Sequence, residues 1–201
     1  MGIKDVKINF IVGVATELFL AKGINNVTIK DIAEAAEVGE ATIYRSFAKK
    51  QNIAIASAKK LAGEALSKYS KVKGKNGFEK ISALYSTFLT IFKHDRHFYS
   101  FINEFDAYVV AENSDLSDYE ESILPFYKVF LDIYEEGLSD GSIKAVDDIR
   151  MFYFASTHAI MGLCKKLASE KNILKQDRNI NSIDEIKTLI DVILYRLKPT
   201  V

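Results

Sequence analysis

The strongest constraint on the fold of this chain is the stretch Thr28–Ile53, which reads TIKDIAEAAEVGEATIYRSFAKKQNI. Apolar or small residues recur at helical spacing over residues 32–36 and again at Ile43 and Phe47, while Val38 between them breaks the spacing. The pattern predicts two short helices separated by a tight turn, the first of them beginning with a capping threonine.

The second of these helices, predicted over residues 40–47, is too short to bury a large apolar face. Its outward positions carry hydroxyls, a phenol and a guanidinium, and two lysines follow it. A short polar helix suits the major groove of DNA, which admits a helix and presents hydrogen-bond donors and acceptors. The outward residues are Glu40, Thr42, Tyr44, Arg45 and Ser46, and the lysines that follow are Lys49 and Lys50.

At these residues the chain resembles the tetracycline-repressor (TetR) family of transcription regulators. The resemblance covers roughly the first 55 residues, and the remainder matches only by length and helical pattern. Three positions depart from the family motif, because Glu37 replaces a turn glycine, Gly39 a serine and Ala41 a glycine. The matching residues are Lys22-Gly23, Thr28, Asp31-Ile32-Ala33, Ala36, Val38, Thr42-Ile43-Tyr44, Phe47 and Lys50.

The resemblance implies a dimeric, ligand-responsive repressor with a DNA-binding domain over residues 1–49 and a ligand-binding and dimerisation domain over residues 50–201. A helix over residues 50–72 would carry motion of the body to the DNA-binding head. The residues at phosphate-gripping positions are Thr28, Thr42, Tyr44 and Lys50, with Lys49 beside them. Those expected at base edges are Glu40, Thr42 and Arg45, with Gly39 and Ala41 allowing a close backbone approach.

Composition supports a long-helix protein, since 201 residues contain 48% apolar residues but only two prolines and ten glycines. No stretch alternates with period two, so we expect an all-α fold of about nine helices. A proline at position 125 should kink or restart a helix predicted over residues 117–139, and a polar loop is expected over residues 171–181. The first 60 residues carry a net charge of +3 and the others −3, so the head would face DNA.

Several classes of function are disfavoured by the sequence. A single cysteine, Cys164, and the absence of a signal-peptide pattern or an 18-residue apolar run favour a cytoplasmic protein without a membrane span. His94 and His97 lack a placed third ligand, so no metal is expected. No catalytic motif or cofactor loop is present, and we therefore expect neither enzyme activity nor a cofactor.

Aromatic residues are concentrated in the middle of the chain, with seventeen of 23 Phe and Tyr between Phe78 and Phe154. Rings on several facing helices can border a cavity for a hydrophobic or aromatic effector, although an ordinary filled core would give the same pattern. The candidate ligand-binding residues are Phe88, Phe92, Phe101, Phe105, Tyr108, Tyr127, Phe130, Tyr134, His158 and Met161.

The last two predicted helices carry stripes that would fit a homodimer interface. One stripe consists of small residues and the other of isoleucines at helical spacing, but burial of both faces within the same chain would explain the pattern equally well. In the family that the chain resembles, these helices pair across a two-fold axis. The candidate interface residues are Ala155, Ala159, Gly162, Ile183, Ile186, Ile190, Ile193 and Leu197.

Two other functions remain open at the level of sequence. One is a DNA binder of similar architecture that is constitutive or architectural and has no effector. The other is a helical small-molecule-binding protein or enzyme in which the head serves only for packing. For the preferred function, a ligand-responsive repressor, we expect three partners: a palindromic DNA duplex, a second copy of the chain and a hydrophobic or aromatic effector. No membrane partner is expected.

Overall fold

A computed structural model describes residues 2–169 and 179–199, and within these ranges the chain consists of nine α-helices without a strand. The all-α prediction is therefore confirmed. The helices are α1 (Ile3–Lys22), α2 (Ile29–Ala35), α3 (Glu40–Phe47), α4 (Lys50–Tyr69), α5 (Gly77–His94), α6 (Arg96–Ala111), α7 (Ser117–Ser139), α8 (Ile149–Ala168) and α9 (Ser182–Tyr195), with a 3-10 turn at Ile24–Asn26.

The helix boundaries follow local signals in the sequence. Gly23, at φ 82°, ends α1 and donates its N–H to Phe19 O at 2.9 Å. Helix α7 continues through Pro125 as one helix, so the restart that we considered does not occur. Most of the predicted polar loop at 171–181 lies outside the described residues.

The chain forms two compact units, and the first comprises Met1–Gly63 and Ser100–Ser122. Its core is built from the apolar face of α1 and from the two short helices, with Ile11, Phe19 and Ile43 almost fully buried. Helix α6 adds to this core, since the rings of Phe19 and Phe101 stack with centroids 6.4 Å apart. The head therefore folds around more of the chain than its own three helices.

The second unit comprises Glu64–Tyr99 and Ile123–Val201. Helix α5 packs against α8 and α9, and Gly77 at the start of α5 lies directly against the backbone of Gly137 in α7. The Lys144 N–H donates to Leu197 O at 2.8 Å and thus ties the segment after α7 to the end of α9.

The division into compact units does not fall at residues 49/50, where we placed the functional domain boundary. Helices α4, α6 and α7 each contribute residues to both units. The functional boundary remains a prediction, because a compact unit is defined by packing and a functional domain by what it binds. Among the described residues, no helix is both long and apolar enough to cross a bilayer.

Candidate functional site

Thr28 and Asp31 cap the N-terminus of α2 through reciprocal hydrogen bonds. The Thr28 hydroxyl donates to Asp31 Oδ2 at 2.6 Å and accepts from the Asp31 N–H at 3.1 Å. The Thr28 N–H donates to the same carboxylate at 2.7 Å. These bonds from Thr28 hold the pKa of Asp31 below its ordinary value. Because its hydroxyl proton is used inside the cap, Thr28 would have to exchange partners to bind a phosphate.

The turn after α2 contains a strained residue. Glu37 adopts φ 53°, as expected where another residue replaces a turn glycine. Such a backbone costs a residue other than glycine about 1 kcal/mol. The bond from Val38 N to Ala33 O, 2.9 Å long, closes the turn and fixes where α3 begins.

Helix α3 has one buried face and one polar exposed face, as the sequence predicted. Ile43 and Phe47 point into the first unit and are buried. Gly39 occupies the N-cap, where its carbonyl accepts from Thr42 N at 2.8 Å but no side chain caps the helix. The exposed face is formed by Glu40, Ala41, Tyr44 and Arg45, with Lys49 exposed just beyond it and Thr42 half-buried.

Tyr44 on this face is more exposed than most tyrosines, since a phenol ring usually buries most of its area. It is 52% exposed. An aromatic ring, a guanidinium and a carboxylate on one exposed helical surface can donate and accept hydrogen bonds along a groove of DNA. The geometry is therefore suited to contact with DNA.

Lys50 differs from the other candidate DNA ligands because its ammonium points into the first unit. Its Nζ donates to Ile24 O at 2.9 Å and to Val27 O at 3.0 Å. The same nitrogen lies 5.4 Å from the centroid of the Tyr108 ring. Burial lowers the pKa of Lys50, while Glu112 opposes this shift. Lys50 thus ties the start of α4 to the turn after α1.

Glu104 of α6 holds the same turn from the other side, and the sequence reasoning missed it. Its Oε2 accepts from the Ile24 N–H at 2.7 Å. Glycine suits position 23 because of its positive φ, and a β-carbon there would lie 2.7 Å from this carboxylate and displace it from the turn. No local pattern in the sequence singles out Glu104, since α6 also carries Asp106 and several other polar residues.

The structure divides the predicted effector residues between the two units. Phe101 and Phe105 stack on one another at 6.0 Å and belong to the first unit, where Phe101 packs on Phe19. Tyr108 lies there too, beneath the Lys50 ammonium. These three aromatic residues therefore pack in the core around α1 and α4, in a different compact unit from the other candidate rings, and their role in ligand binding stays a prediction.

Two further candidates also differ from expectation. His158 is exposed on α8, beside the Phe154 ring at 5.8 Å, so it does not line the interior of the second unit. Tyr134 is buried, and its hydroxyl accepts from Val146 N at 3.0 Å, which gives it a structural role. Phe92 is buried against Tyr99 at 6.1 Å, and Met161 is half-buried.

The remaining rings come together in the second unit. Phe130 lies 4.9 Å from Tyr153, and Tyr127 lies 5.0 Å from the same ring. Phe88 stacks on Tyr85 at 6.5 Å. The Tyr85 and Phe130 rings, 6.4 Å apart, join these contacts, so helices α5, α7 and α8 supply one continuous aromatic cluster.

Tyr69, at the end of α4, joins this cluster but was missed because it precedes the aromatic-rich stretch at 78–154. Its ring makes edge contacts with Phe126 at 5.2 Å and with Phe88 at 6.4 Å. Tyr85, Tyr153 and Ser156 were also missed, since each reads in sequence as part of an ordinary helix face. The Tyr85 hydroxyl lies 2.6 Å from Ser156 Oγ.

The stripe of small residues on α8 is exposed, whereas the isoleucine stripe on α9 is not. Ala155, Ala159 and Gly162 are all exposed. Ile183 is half-buried. The other residues of the stripe, three on α9 and one just after it, are buried and complete the core of the same unit, and their role in a dimer interface stays a prediction. Those buried residues are Ile186, Ile190, Ile193 and Leu197.

Helix α9 nevertheless presents an exposed apolar surface on its other side. Val192 is 64% exposed and Tyr195 is 78% exposed. Helix α8 presents Met151 and Phe154 together with its small residues. Apolar side chains left on the exposed sides of two neighbouring helices suit burial by a partner.

No cluster of three or more His, Cys, Asp or Glu side chains that could hold a metal occurs in the part of the chain that the structure describes. Cys164 is buried as a free thiol. Burial raises its pKa to about 12, so the thiol stays protonated at neutral pH.

Comparison with known proteins places this geometry in a family context. Residues 11–57 match the family model described as bacterial regulatory proteins, tetR family. The transcriptional repressor KstR2 of Mycolicibacterium smegmatis is 22% identical over 141 residues, which cover 69% of this chain and 68% of KstR2. The transcriptional regulator TcmR of Streptomyces glaucescens is 49% identical over 41 residues, which cover 20% of this chain and only 18% of TcmR.

Solved structures extend the likeness to nearly the whole chain. The ketosteroid transcriptional regulator KstR2 of Mycobacterium tuberculosis superposes with a TM-score of 0.64, covering 96% of this chain and 95% of that one. Sequence identity in the superposition is 15%, so this comparison establishes the fold and leaves the ligand open. The match to the family model covers residues 11–57, a range that includes α2 and α3.

Proposed function

Because this chain belongs to the TetR family of bacterial transcriptional regulators, we propose that it is a dimeric repressor whose α3 reads a palindromic operator. We further propose that a hydrophobic small molecule bound in the second unit releases it. The exposed face of α3 is the observation that carries the proposal. This helix buries Ile43 and Phe47 on one side and exposes Tyr44 and Arg45 on the other. The side that packs in the core is therefore separate from the side proposed to bind DNA.

The exposed residues divide by the kind of contact that they can make. Arg45 can donate two hydrogen bonds to guanine, and Glu40 can accept from a cytosine amino group. Tyr44, Thr42 and Lys49 would hold phosphates, which position the protein without reading sequence. Ala41 and Gly39 would let the backbone at the start of α3 approach the duplex closely.

Lys50 and Thr28 are proposed to position the DNA-binding head and not to contact DNA directly, because their hydrogen-bond donors are already used within the protein. Two of the three ammonium N–H groups of Lys50 already bind carbonyls of the 24–27 turn. Thr28 is similarly committed to Asp31. Their expected effect on DNA binding is therefore exerted through the orientation of α2 and α3.

The proposed response to ligand uses helices that enter both units. Helix α4 begins at Lys50 in the first unit and ends at Tyr69 in the second, and α6 carries Glu104 to the 24–27 turn. A ligand that favours another position of α4 and α6 would shift the equilibrium away from the DNA-binding state. Since half-sites on DNA are separated by about 34–36 Å, movements of a few Å would weaken binding.

The exposed sides of α8 and α9 support the proposed dimer. Val192→Asp should place a charge in the interface, convert the protein to a monomer and abolish operator binding. Val110→Asp is the matched control, because Val110 is 80% exposed on α6 and belongs to the first unit. Both variants should be measured by analytical ultracentrifugation and by fluorescence anisotropy with the DNA upstream of the gene.

The response itself is tested by adding hydrophobic compounds to the wild-type complex with DNA. Release of the DNA supports the effector role. A wild-type protein that is monomeric, or a Val192→Asp variant that remains a dimer and binds DNA normally, would contradict the proposed interface. Operator binding that no hydrophobic compound affects would instead favour a constitutive DNA binder.

A further inference from the structure

The hydroxyl group of Tyr69 is unusual among the phenols of the second unit. Its side chain is 3% exposed, yet its hydroxyl oxygen has no hydrogen-bond partner. Burying a hydroxyl without a partner is unfavourable, because its bonds to water are lost and not replaced. A buried unpaired donor in the interior of a folded protein therefore calls for an explanation.

Three other phenols of the same unit show how such groups are normally satisfied. Tyr99 donates to Phe88 O at 2.8 Å, and Tyr134 accepts from Val146 N at 3.0 Å. Ser156 donates its one proton to a backbone carbonyl, so Tyr85 donates to Ser156 Oγ at 2.6 Å. Each of these hydroxyls is occupied by the fold itself, and only the Tyr69 hydroxyl among these four is left without a partner.

The surroundings of Tyr69 are aromatic. Phe126 and Phe88 contact its ring edge-on, and both rings are only half-buried, so the aromatic surface around Tyr69 is not sealed. Burial raises the pKa of Tyr69, with smaller contributions from Tyr153 and Tyr85. The Tyr153 hydroxyl is the polar neighbour of the Tyr69 hydroxyl and contributes to this pKa shift through a weak interaction. The two groups do not reach the geometry of a full hydrogen bond, so the Tyr69 hydroxyl keeps its capacity to donate one.

The interior of the second unit is poor in buried polar and charged side chains. Among the described residues, the buried polar or charged side chains other than tyrosine are Thr16, Ser57 and Ser156, and only Ser156 belongs to the second unit. Within residues 2–169 and 179–199, no buried lysine or arginine would therefore compensate a carboxylate or phosphate placed there. A buried anion without a partner is strongly disfavoured.

From these observations we propose that the second unit binds a neutral, mainly aromatic or apolar ligand whose oxygen accepts a hydrogen bond from the Tyr69 hydroxyl. This inference rests on the proposed effector function and specifies the chemistry of that ligand. The rings of Phe88 and Phe126 flank its apolar part, and the Tyr69 hydroxyl selects its polar group. A ketone, an ether or an alcohol oxygen meets this description, whereas a carboxylate does not.

Three compounds that share one ring system test the inference. Naphthalene has no polar group, 2-acetylnaphthalene adds a neutral acceptor, and 2-naphthoate adds a negative charge. Their dissociation constants should be measured by equilibrium dialysis with the full-length protein. We expect 2-acetylnaphthalene to bind about tenfold more tightly than naphthalene, and 2-naphthoate to bind most weakly.

The variant Tyr69→Phe identifies the hydroxyl responsible. It should reduce the affinity ratio of 2-acetylnaphthalene to naphthalene to about one while leaving naphthalene binding unchanged. Tyr134→Phe is the matched control, because its hydroxyl is also buried but is bonded to Val146, and the wild-type ratio should persist. Circular dichroism establishes that both variants are folded.

Each outcome separates this inference from the function on which it rests. Equal binding of naphthalene and 2-acetylnaphthalene, tighter binding of 2-naphthoate, or an unchanged ratio in Tyr69→Phe would overturn the assignment to Tyr69 and leave the effector function intact. If none of the three compounds binds the wild type, both this inference and the effector site fall. Operator binding measured in the same preparation shows whether the DNA-binding function survives that result.

Discussion

The opposite hydrogen-bonding states of Tyr69 and Tyr85 lead to opposite predictions for the same chemical change. Both side chains are buried in the second unit and each loses only a hydroxyl in a Tyr→Phe substitution. Tyr85 loses the 2.6 Å bond to Ser156, whereas Tyr69 loses an unpaired group. Comparing the two variants therefore separates the energetic effect of having a hydrogen-bond partner from the effect of burying the hydroxyl.

The expected magnitudes follow from the cost of each state. Loss of one intramolecular hydrogen bond lowers the free energy of unfolding by about 0.5–1.5 kcal/mol, which applies to Tyr85→Phe. Removal of an unsatisfied buried hydroxyl relieves a penalty of about 1–3 kcal/mol, so Tyr69→Phe should raise the free energy of unfolding by up to this amount. For a chain of this length, each kcal/mol shifts Tm by about 2–4 °C.

The assay is thermal and urea unfolding of ligand-free protein, obtained by unfolding, dialysis and refolding so that any bound compound is removed. We expect Tm to rise for Tyr69→Phe and to fall for Tyr85→Phe. A decrease in Tm for Tyr69→Phe similar to that for Tyr85→Phe would refute the reasoning, because it would show that the Tyr69 hydroxyl has a stabilising partner.

Three other predictions concern packing, capping and the head. Gly77→Ala should destabilise the protein by about 1–3 kcal/mol, because a β-carbon would collide with the α7 backbone. Gly63→Ala, in the middle of α4 where a β-carbon would meet no other atom, should stabilise the protein by about 0.5–1 kcal/mol. Urea unfolding measures both changes. The folded-state pKa of Asp31 lies below the ordinary value of 3.8, so its cap stabilises the fold above that pH and the advantage over Asp31→Asn should disappear as pH falls below it; an advantage that is constant with pH would contradict this. Lys50→Met should lower stability by about 1–2 kcal/mol, because it removes two hydrogen bonds to carbonyls of the 24–27 turn. Lys49→Met should leave stability unchanged and weaken DNA binding, and the reverse pattern would assign phosphate binding to Lys50.

The head could be predicted in detail from sequence because its signals are local. Thr28 and Asp31 are three residues apart, and the cap that they form depends on little else. The spacing of Ile43 and Phe47 defined both the length and the buried face of α3. The left-handed residue at position 37 could likewise be expected, since a turn of this kind requires a positive φ.

The body could be predicted only as a set of helices, since its contacts are distant in sequence. The isoleucine stripe of α9 was equally compatible with a core and with an interface, and the structure places most of it in the core. Phe101 lies near Phe98 in sequence but packs on Phe19 of α1. Hydrophobic periodicity shows which side of a helix is buried, but it does not show against which helix.

The hydrogen-bonding states of Lys50 and Tyr69 could not be predicted from local sequence either. Position in a motif suggested that Lys50 holds phosphate, but a lysine stem can turn either outward or toward nearby carbonyls, and here it turns toward Ile24 and Val27. The isolation of the Tyr69 hydroxyl depends on the placement of several helices, and no local pattern records it.

The most direct test of the central claim compares specific and random DNA for Arg45→Ala, with Lys128→Ala as a control of equal charge on an exposed part of α7. The wild type should prefer an operator duplex from its own upstream DNA over a random duplex of equal length at low salt. Arg45→Ala should lose about 1–3 kcal/mol on the operator and little on random DNA, while Lys128→Ala should resemble the wild type on both. Equal losses on the two duplexes, or a wild type without preference for any duplex, would contradict the claim that the exposed face of α3 reads DNA.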